Sequence, residues 1–257
     1  MATLLLKISQ LSILIYGFFI ALSLTVGILF AKHTAKSSGV DQAKIMDLCV
    51  YFLLAAIFGS RLVYIILNPG NFLTDPLEIL KIWKGGLDVY GGLVTALATG
   101  LIYVKKVNLP LWKTADILAP SIVIGHVTGK LGCFFAGCNL AKPYESPWSV
   151  SVTRAFSIIP KGAPLQPAHL YSALNSLLIF GILLAVRRYN KFDGQVLWVC
   201  VLLFGITRSL IELYNPGIRN HYLYGIFSPS QLLGGLMAII AVVMLAYLSR
   251  KAHEIED

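Results

Sequence analysis

Four side chains in this sequence are of the wrong type for the segments that hold them. Arg61, Lys130 and Arg208 lie within long apolar stretches, and Glu212 follows Arg208 four residues on. A cation in hydrocarbon costs about 2.5–3.5 kcal/mol even on a lenient insertion scale, and it marks a functional site by default. Three cations from three segments suit an anion: Arg grips phosphate oxygens through two parallel N–H bonds, and Lys meets them as a point charge. Glu212 stands one helical turn from Arg208, where it either orients the guanidinium or simply neutralises it. Arg61 is close enough to its segment's end to snorkel instead.

Lys130 belongs to the run GHVTGKLGCFFAGC, residues 125–138. Gly129, Gly132 and Gly137 recur there at helical spacing, which permits either close helix packing or backbone approach to a ligand. Gly85, Gly86, Gly91 and Gly92 flank Asp88 and Tyr90 with the same two readings. Cys133 and Cys138 admit four: a disulfide on an oxidising side, small packing residues, a thiol activated by nearby Lys130, or a weakly supported metal site. Cys49 and Cys200 read as core. His126, one turn before Lys130, is either a base or a core histidine, and His169 and His221 are further candidates. Asp47 and Asp116 read as N-terminal dipole or cap residues of their own helices. No metal-ligand spacing and no cofactor motif is present.

The elements that must position these groups follow from composition. The 257 residues are 57% hydrophobic and 13% charged, with a mean hydropathy of +0.75. A soluble domain is about 45–50% apolar and about 25% charged. Soluble, disordered, collagen-like and disulfide-scaffold classes are thereby excluded. The net charge of +9 comes without a nucleic-acid-binding motif, so its partner is the lipid bilayer. Seven segments approach the roughly 20 apolar residues of a spanning helix: Leu11–Ala31, Ile45–Leu67, Leu87–Val104, Ile117–Phe135, Leu170–Val186, Val196–Leu213 and Gln231–Leu248. The first reads as an uncleaved helix, and the third and fourth are the weakest. The predicted fold is an all-α integral membrane protein: one seven-transmembrane-helix bundle over residues 1–257. Its long outer connections are 68–86, with a short interfacial helix, and 136–167, a small outer cap. The denser Lys and Arg clusters put the N-terminus outside and the C-terminus in the cytoplasm. Segments two, four and six then run outward and carry Arg61, Lys130 and Arg208 late, in the outer half of the bilayer.

These residues resemble the prolipoprotein diacylglyceryl transferase family of bacterial inner membranes. The resemblance spans about Ser12 to Leu248 and rests on pieces in family order: IYGFFIAL with Tyr16 and Gly17; GSRLVYIILNPGNFLTDPLEILKIWKGGL with Arg61, Trp83, Gly85 and Gly86; DILAPSIVIG with Asp116; QPAHLYSAL with Tyr171; FGITRSLIEL with Arg208 and Glu212; and SPSQLLGGLMAI. It implies transfer of the diacylglyceryl group of phosphatidylglycerol to the lipobox cysteine thiol in a prolipoprotein signal peptide, with glycerol 1-phosphate leaving. It also implies multi-pass residence in the bacterial cytoplasmic membrane. The substrate-binding set is then Arg208, Lys130, Arg61, Gly129, Gly132 and Gly137, and the catalytic set Tyr90, Glu212, Tyr16 and Cys133, without metal or cofactor.

The family's signature asparagines and glutamate are replaced here by Cys133, Ala136 and Cys138, its arginine by Lys130, and a proposed base histidine by Tyr90. A tyrosine of pKa near 10 is a poor base at neutral pH. Two other functions therefore stand beside the first: a paralogous transferase with another acceptor, and a non-catalytic lipid-binding membrane protein.

Overall fold

A computed structural model describes the backbone of residues 2–69, 72, 78–79, 81, 85–136, 150–151, 164–165, 168–214 and 229–256. Seven helices follow in order among them: α1 Ala2–Ser37, α2 Gln42–Leu67, α3 Val89–Lys106, α4 Leu111–Ala136, α5 Ala168–Arg188, α6 Gln195–Tyr214 and α7 Pro229–Glu256. Six of the anticipated apolar segments lie within one of them, the third begins two residues before α3, and most helices outrun the apolar stretch at one or both ends. In hydrocarbon only a helix or a closed barrel satisfies its own backbone groups, so apolar runs of this length fold as helices. Among the described residues five helices are long and apolar enough to cross a membrane: Leu14–Ser37, Gln42–Leu67, Leu111–Ala136, Ala168–Arg188 and Gln231–Ala252. The described apolar part of α6 is shorter, at Gln195–Thr207. The Gly- and Lys-containing α3 is not among the five.

The two long connections, between α2 and α3 and between α4 and α5, are described in part. Residues 78–79 form a single 3-10 turn, with the Lys81 amide donating to the Glu78 carbonyl at 3.1 Å. The rest of the expected interfacial helix lies outside the described residues. In the second connection a short antiparallel pair interrupts the all-helical expectation: β1 Val150–Ser151 faces β2 Pro164–Leu165, with Val150 opposite Leu165.

The chain divides into two compact units. One comprises Met1–Phe30 and Ala115–Asp257, the other Ala31–Thr114. In the first, α4, α5 and α6 share a core of Ala119, Val123, Ile179, Leu183, Val196 and Cys200, which confirms the core reading of Cys200. In the second, α2 and α3 pack as an antiparallel pair through glycines. A Cβ on Gly91 would stand 2.5 Å from Val63 Cβ and 2.8 Å from the Gly59 carbonyl oxygen, and one on Gly100 would stand 2.5 Å from the Phe52 ring.

The helix caps correct two expectations. Asp41, not Asp47, caps α2, accepting from the Ala43 amide at 2.9 Å; Asp47 lies farther along and accepts from the Tyr103 hydroxyl at 3.4 Å. Asp116 caps no turn of its own helix. Its carboxylate accepts from the Gly194 amide at 2.7 Å and the Leu197 amide at 2.8 Å. It therefore satisfies the open N-terminus of α6 from a neighbouring helix.

Candidate functional site

In the first unit, glycines let α1 lie close against α4. The Ser23 hydroxyl donates to the Gly125 carbonyl. A Cβ on Gly27 would stand 3.1 Å from the Ser121 oxygen, and one on Gly132 would stand 2.4 Å from Phe19 Cβ. The partners run 27 to 121, 23 to 125 and 19 to 132, so the two helices are antiparallel. Phe19 stacks on Phe135 at 5.4 Å. Tyr16, three residues before Phe19 on α1, thus falls near the level of the last turn of α4. It is 40% exposed and engaged in a contact of its own. Gly132 serves packing, while a Cβ on Gly129 would meet only Ser23 Oγ, at 3.6 Å.

Helices α5 and α6 bring their polar residues to the same end. The two are antiparallel: Leu183 shares the core with Val196, and Asn175 Nδ2 donates to Thr207 Oγ1 at 3.1 Å. His126 Nδ1 lies 2.8 Å from Ser176 Oγ, and the His126 ring meets Phe204 edge-on at 5.8 Å. Since Asp116 marks the other end of α4 beside the start of α6, α4 and α6 run parallel. The late residues of both, the early residues of α5 and Tyr16 of α1 therefore share one end of this unit.

At that end Lys130 and Cys133 are half-buried, and the Cys133 thiol is free. Among the described residues the Lys130 ammonium meets no carboxylate. Arg208 and Glu212 belong to α6 one and two turns beyond Phe204, at this level by backbone position; their side chains lie outside the described residues. So do Gly137, Cys138 and His221.

In the second unit Arg61 is 7% exposed and does not snorkel. Its guanidinium reaches the connection between α2 and α3. Nε donates to the Ile79 carbonyl at 3.2 Å, Nη1 to the carbonyls of Gly85 at 2.8 Å and Gly86 at 3.0 Å, and Nη2 to that of Glu78. Tyr64 and Phe72 place ring faces 5.7 and 5.2 Å from its central carbon. Gly85 and Gly86 take φ of +87° and +78°, a left-handed backbone that turns both carbonyls toward one cation without a Cβ penalty. The connection is pinned again where the Asp88 amide donates to the Ser60 carbonyl at 3.0 Å, and the Asp88 carboxylate caps α3 through the Gly91 amide at 2.8 Å. Arg61 is thus a clamp on the loop, with four of its five N–H groups engaged. Tyr90, in the first turn of α3, is 68% exposed.

Sequence reasoning missed Ser23, Ser176, Asn175 and Thr207. Their signal was present: small polar residues in apolar helices must hydrogen-bond to something, and here they join helices.

A family model described as prolipoprotein diacylglyceryl transferase matches residues 3–247. The chain belongs to the prolipoprotein diacylglyceryl transferase family. Among its relatives is the phosphatidylglycerol--prolipoprotein diacylglyceryl transferase of Finegoldia magna, 32% identical over 240 residues, which cover 93% of this chain and 92% of the relative. The proteins of the same name from Clostridium tetani and Listeria innocua are 28% and 29% identical, over 88% and 94% of this chain and 90% and 87% of theirs. Family membership and five membrane-length apolar helices make this a multi-pass bacterial membrane protein.

Proposed function

We propose that the protein transfers the diacylglyceryl group of phosphatidylglycerol to the cysteine thiol of a prolipoprotein signal peptide. The observation that carries this reading is the match over residues 3–247 to a family named for that transfer. The thiolate attacks the glycerol carbon that bears the phosphate ester. A carbon–sulfur bond forms, the carbon–oxygen bond breaks, and glycerol 1-phosphate leaves. Thiolate is the nucleophile, so a base must take the thiol proton.

The half-buried Lys130 and, by its level on α6, Arg208 bind the phosphate and offset charge on the leaving group. Glu212 orients Arg208, and Gly129 leaves room beside Lys130. Tyr16 and Tyr90 hydrogen-bond the headgroup or the acceptor, and Gly137 and Cys133 shape the rim. Arg61 acts through the loop it clamps. In this reading the seven helices form one bundle that crosses the cytoplasmic membrane seven times, with the N-terminus outside.

The test uses the purified full chain, vesicles containing phosphatidylglycerol labelled in its acyl chains, and a lipobox peptide. Labelled diacylglyceryl should appear on the peptide, and it should be lost in Lys130→Ala and Arg208→Ala. Bound lipid with no transfer would instead identify a lipid-binding protein, and transfer only to another acceptor a paralogous enzyme. The replacement of signature residues at Cys133, Ala136 and Cys138 is what keeps those two readings in play.

A further inference from the structure

The cations of the second unit that the transfer reading leaves unused gather at one end. α1 turns into α2 over residues 38–41, and α3 turns into α4 over residues 107–110. Lys44 Nζ ties the two turns together by donating to the Val107 carbonyl at 3.2 Å. Lys32, Lys36, Lys44, Lys105, Lys106 and Lys113 all fall within a few residues of these turns. Lys32, Lys36, Lys105 and Lys106 are exposed, and Lys44 and Lys113 are half-buried. The carboxylates nearby are already engaged: Asp41 caps α2, and Asp47 accepts from the Tyr103 hydroxyl. Among the described residues none of the six lysines meets a carboxylate. Helix dipoles do not account for the whole set. Lys36, Lys105 and Lys106 stand in last turns, where a cation is favoured. Lys113 stands in the first turn of α4, where a cation is disfavoured and no acidic residue offsets it.

An exposed apolar stripe runs up to these charges. On α3, Tyr90, Val94, Leu97, Leu101 and Lys105 follow at helical spacing, and all are exposed. The face with Gly91, Gly92 and Gly100 is taken by α2. From Tyr90 to Lys105 the helix rises about 22 Å at roughly 1.5 Å per residue, against about 30 Å for the hydrocarbon of a bilayer. Tyr51 and Tyr103, with ring centroids 5.1 Å apart, bring to the lysine end the amphipathic rings that favour the headgroup level. A soluble anion matches only the cations, whereas a phospholipid matches both the cations and the stripe that ends at Lys105. We propose that this end of the α2–α3 pair is a binding surface for the headgroup of an anionic phospholipid. Lys105 and Lys106 meet its phosphate, and an acyl chain lies along Leu97 and Leu101. The surface is at the opposite end of the pair from Arg61 and Tyr90, so it is separate from the headgroup contacts of the transfer. It holds a lipid that is not consumed, and it stands independently of the transfer reading. In the orientation proposed above it faces the cytoplasmic leaflet.

The test reconstitutes the full chain into phosphatidylcholine vesicles with a trace of spin-labelled phosphatidic acid. Electron spin resonance reads the lipid that the protein immobilises, and thermal unfolding is followed alongside. All variants are made in the Lys130→Ala background, so that the phosphate position proposed for the transfer does not hold the label. Each lysine beside an anionic headgroup contributes about fivefold to association. Lys105→Gln with Lys106→Gln should therefore weaken association about 25-fold with the melting temperature retained. Lys105→Arg with Lys106→Arg keeps the charge and should bind as well as the parent. Arg250→Gln with Lys251→Gln removes the same charge from the end of α7 and should leave association within about twofold of the parent. Equal losses in the two glutamine pairs would mean attraction to net charge alone and would overturn the surface. Full association in a folded Lys105→Gln, Lys106→Gln variant, or loss in the arginine pair, would overturn it as well. Inorganic phosphate at constant ionic strength should not displace the label; displacement would identify a site for free phosphate and reject the lipid.

Discussion

Replacing Arg61 with Gln separates a loop clamp from a phosphate ligand. The guanidinium makes four hydrogen bonds to carbonyls of residues 78–86, from a side chain that is 7% exposed. Hydrogen bonds to a charged group contribute about 1.5–3 kcal/mol each. Gln carries two donors and no charge, so at least two bonds are lost, or about 3 kcal/mol at the low end. Each 1.4 kcal/mol is tenfold in a population, so detachment of the loop should become at least about 100-fold more frequent. The connection carries Lys81 and Lys84, and trypsin cleaves a detached segment in proportion to its open population when reclosing is fast. Cleavage after these lysines in detergent-solubilised Arg61→Gln should accelerate by about that factor, and Arg61→Lys should fall between it and wild type. Phosphatidylglycerol binding should weaken only as far as the loop is lost. Cleavage within threefold of wild type, together with abolished lipid binding, would refute the clamp and restore Arg61 as a direct ligand.

Other perturbations test the framework around the site. Asp116→Asn replaces one of two accepting oxygens with a donor that faces an amide, at a cost of about 1–3 kcal/mol; the melting temperature should fall by roughly 2–4 °C per kcal/mol, and an unchanged melt would contradict the cross-helix cap. Gly91→Leu drives a side chain into Val63 and the Gly59 carbonyl, so α2 and α3 must part; expression and thermal stability should drop well beyond the effect of Gly17→Leu, where a Cβ meets nothing within 4 Å. Lys130→Ala should abolish phosphatidylglycerol binding measured by lipid co-purification, and Lys130→Arg should keep it, because both cations suit phosphate; binding that survives the alanine would remove Lys130 from the site.

Much of the scaffold was legible in the chain, since the rules that shape it are local. An apolar run of this length in lipid folds as a helix or a strand of a closed barrel, and all seven runs are helical but for the first two residues of the third. The third and fourth are the weakest by hydropathy because Gly, Thr and Lys interrupt them; in the third, Gly91, Gly92 and Gly100 serve close contact with α2. The cap at α2 was misjudged by position: Asp41 and Asp47 both precede or open an apolar run, and only the geometry of the first turn separates them. At the site, a buried cation announces that it needs partners without saying which. Arg61 and Lys130 look alike in the sequence, yet Arg61 is surrounded by carbonyls of its own loop, while among the described residues Lys130 meets no carboxylate.

What the sequence by itself determined is the class of molecule, its helical segments and its family, because composition, apolar run length and motif order are all properties of the chain read in a line. Which carbonyls hold Arg61, which helix Asp116 caps and which hydroxyl His126 meets were decided only by the tertiary structure. Each depends on a partner far away in sequence: the carbonyls of residues 78–86 for Arg61, the amides of Gly194 and Leu197 for Asp116, and the hydroxyl of Ser176 for His126. A hydrogen bond acts only near 3 Å, so chemistry that rests on one exists only once folding has brought its two ends together.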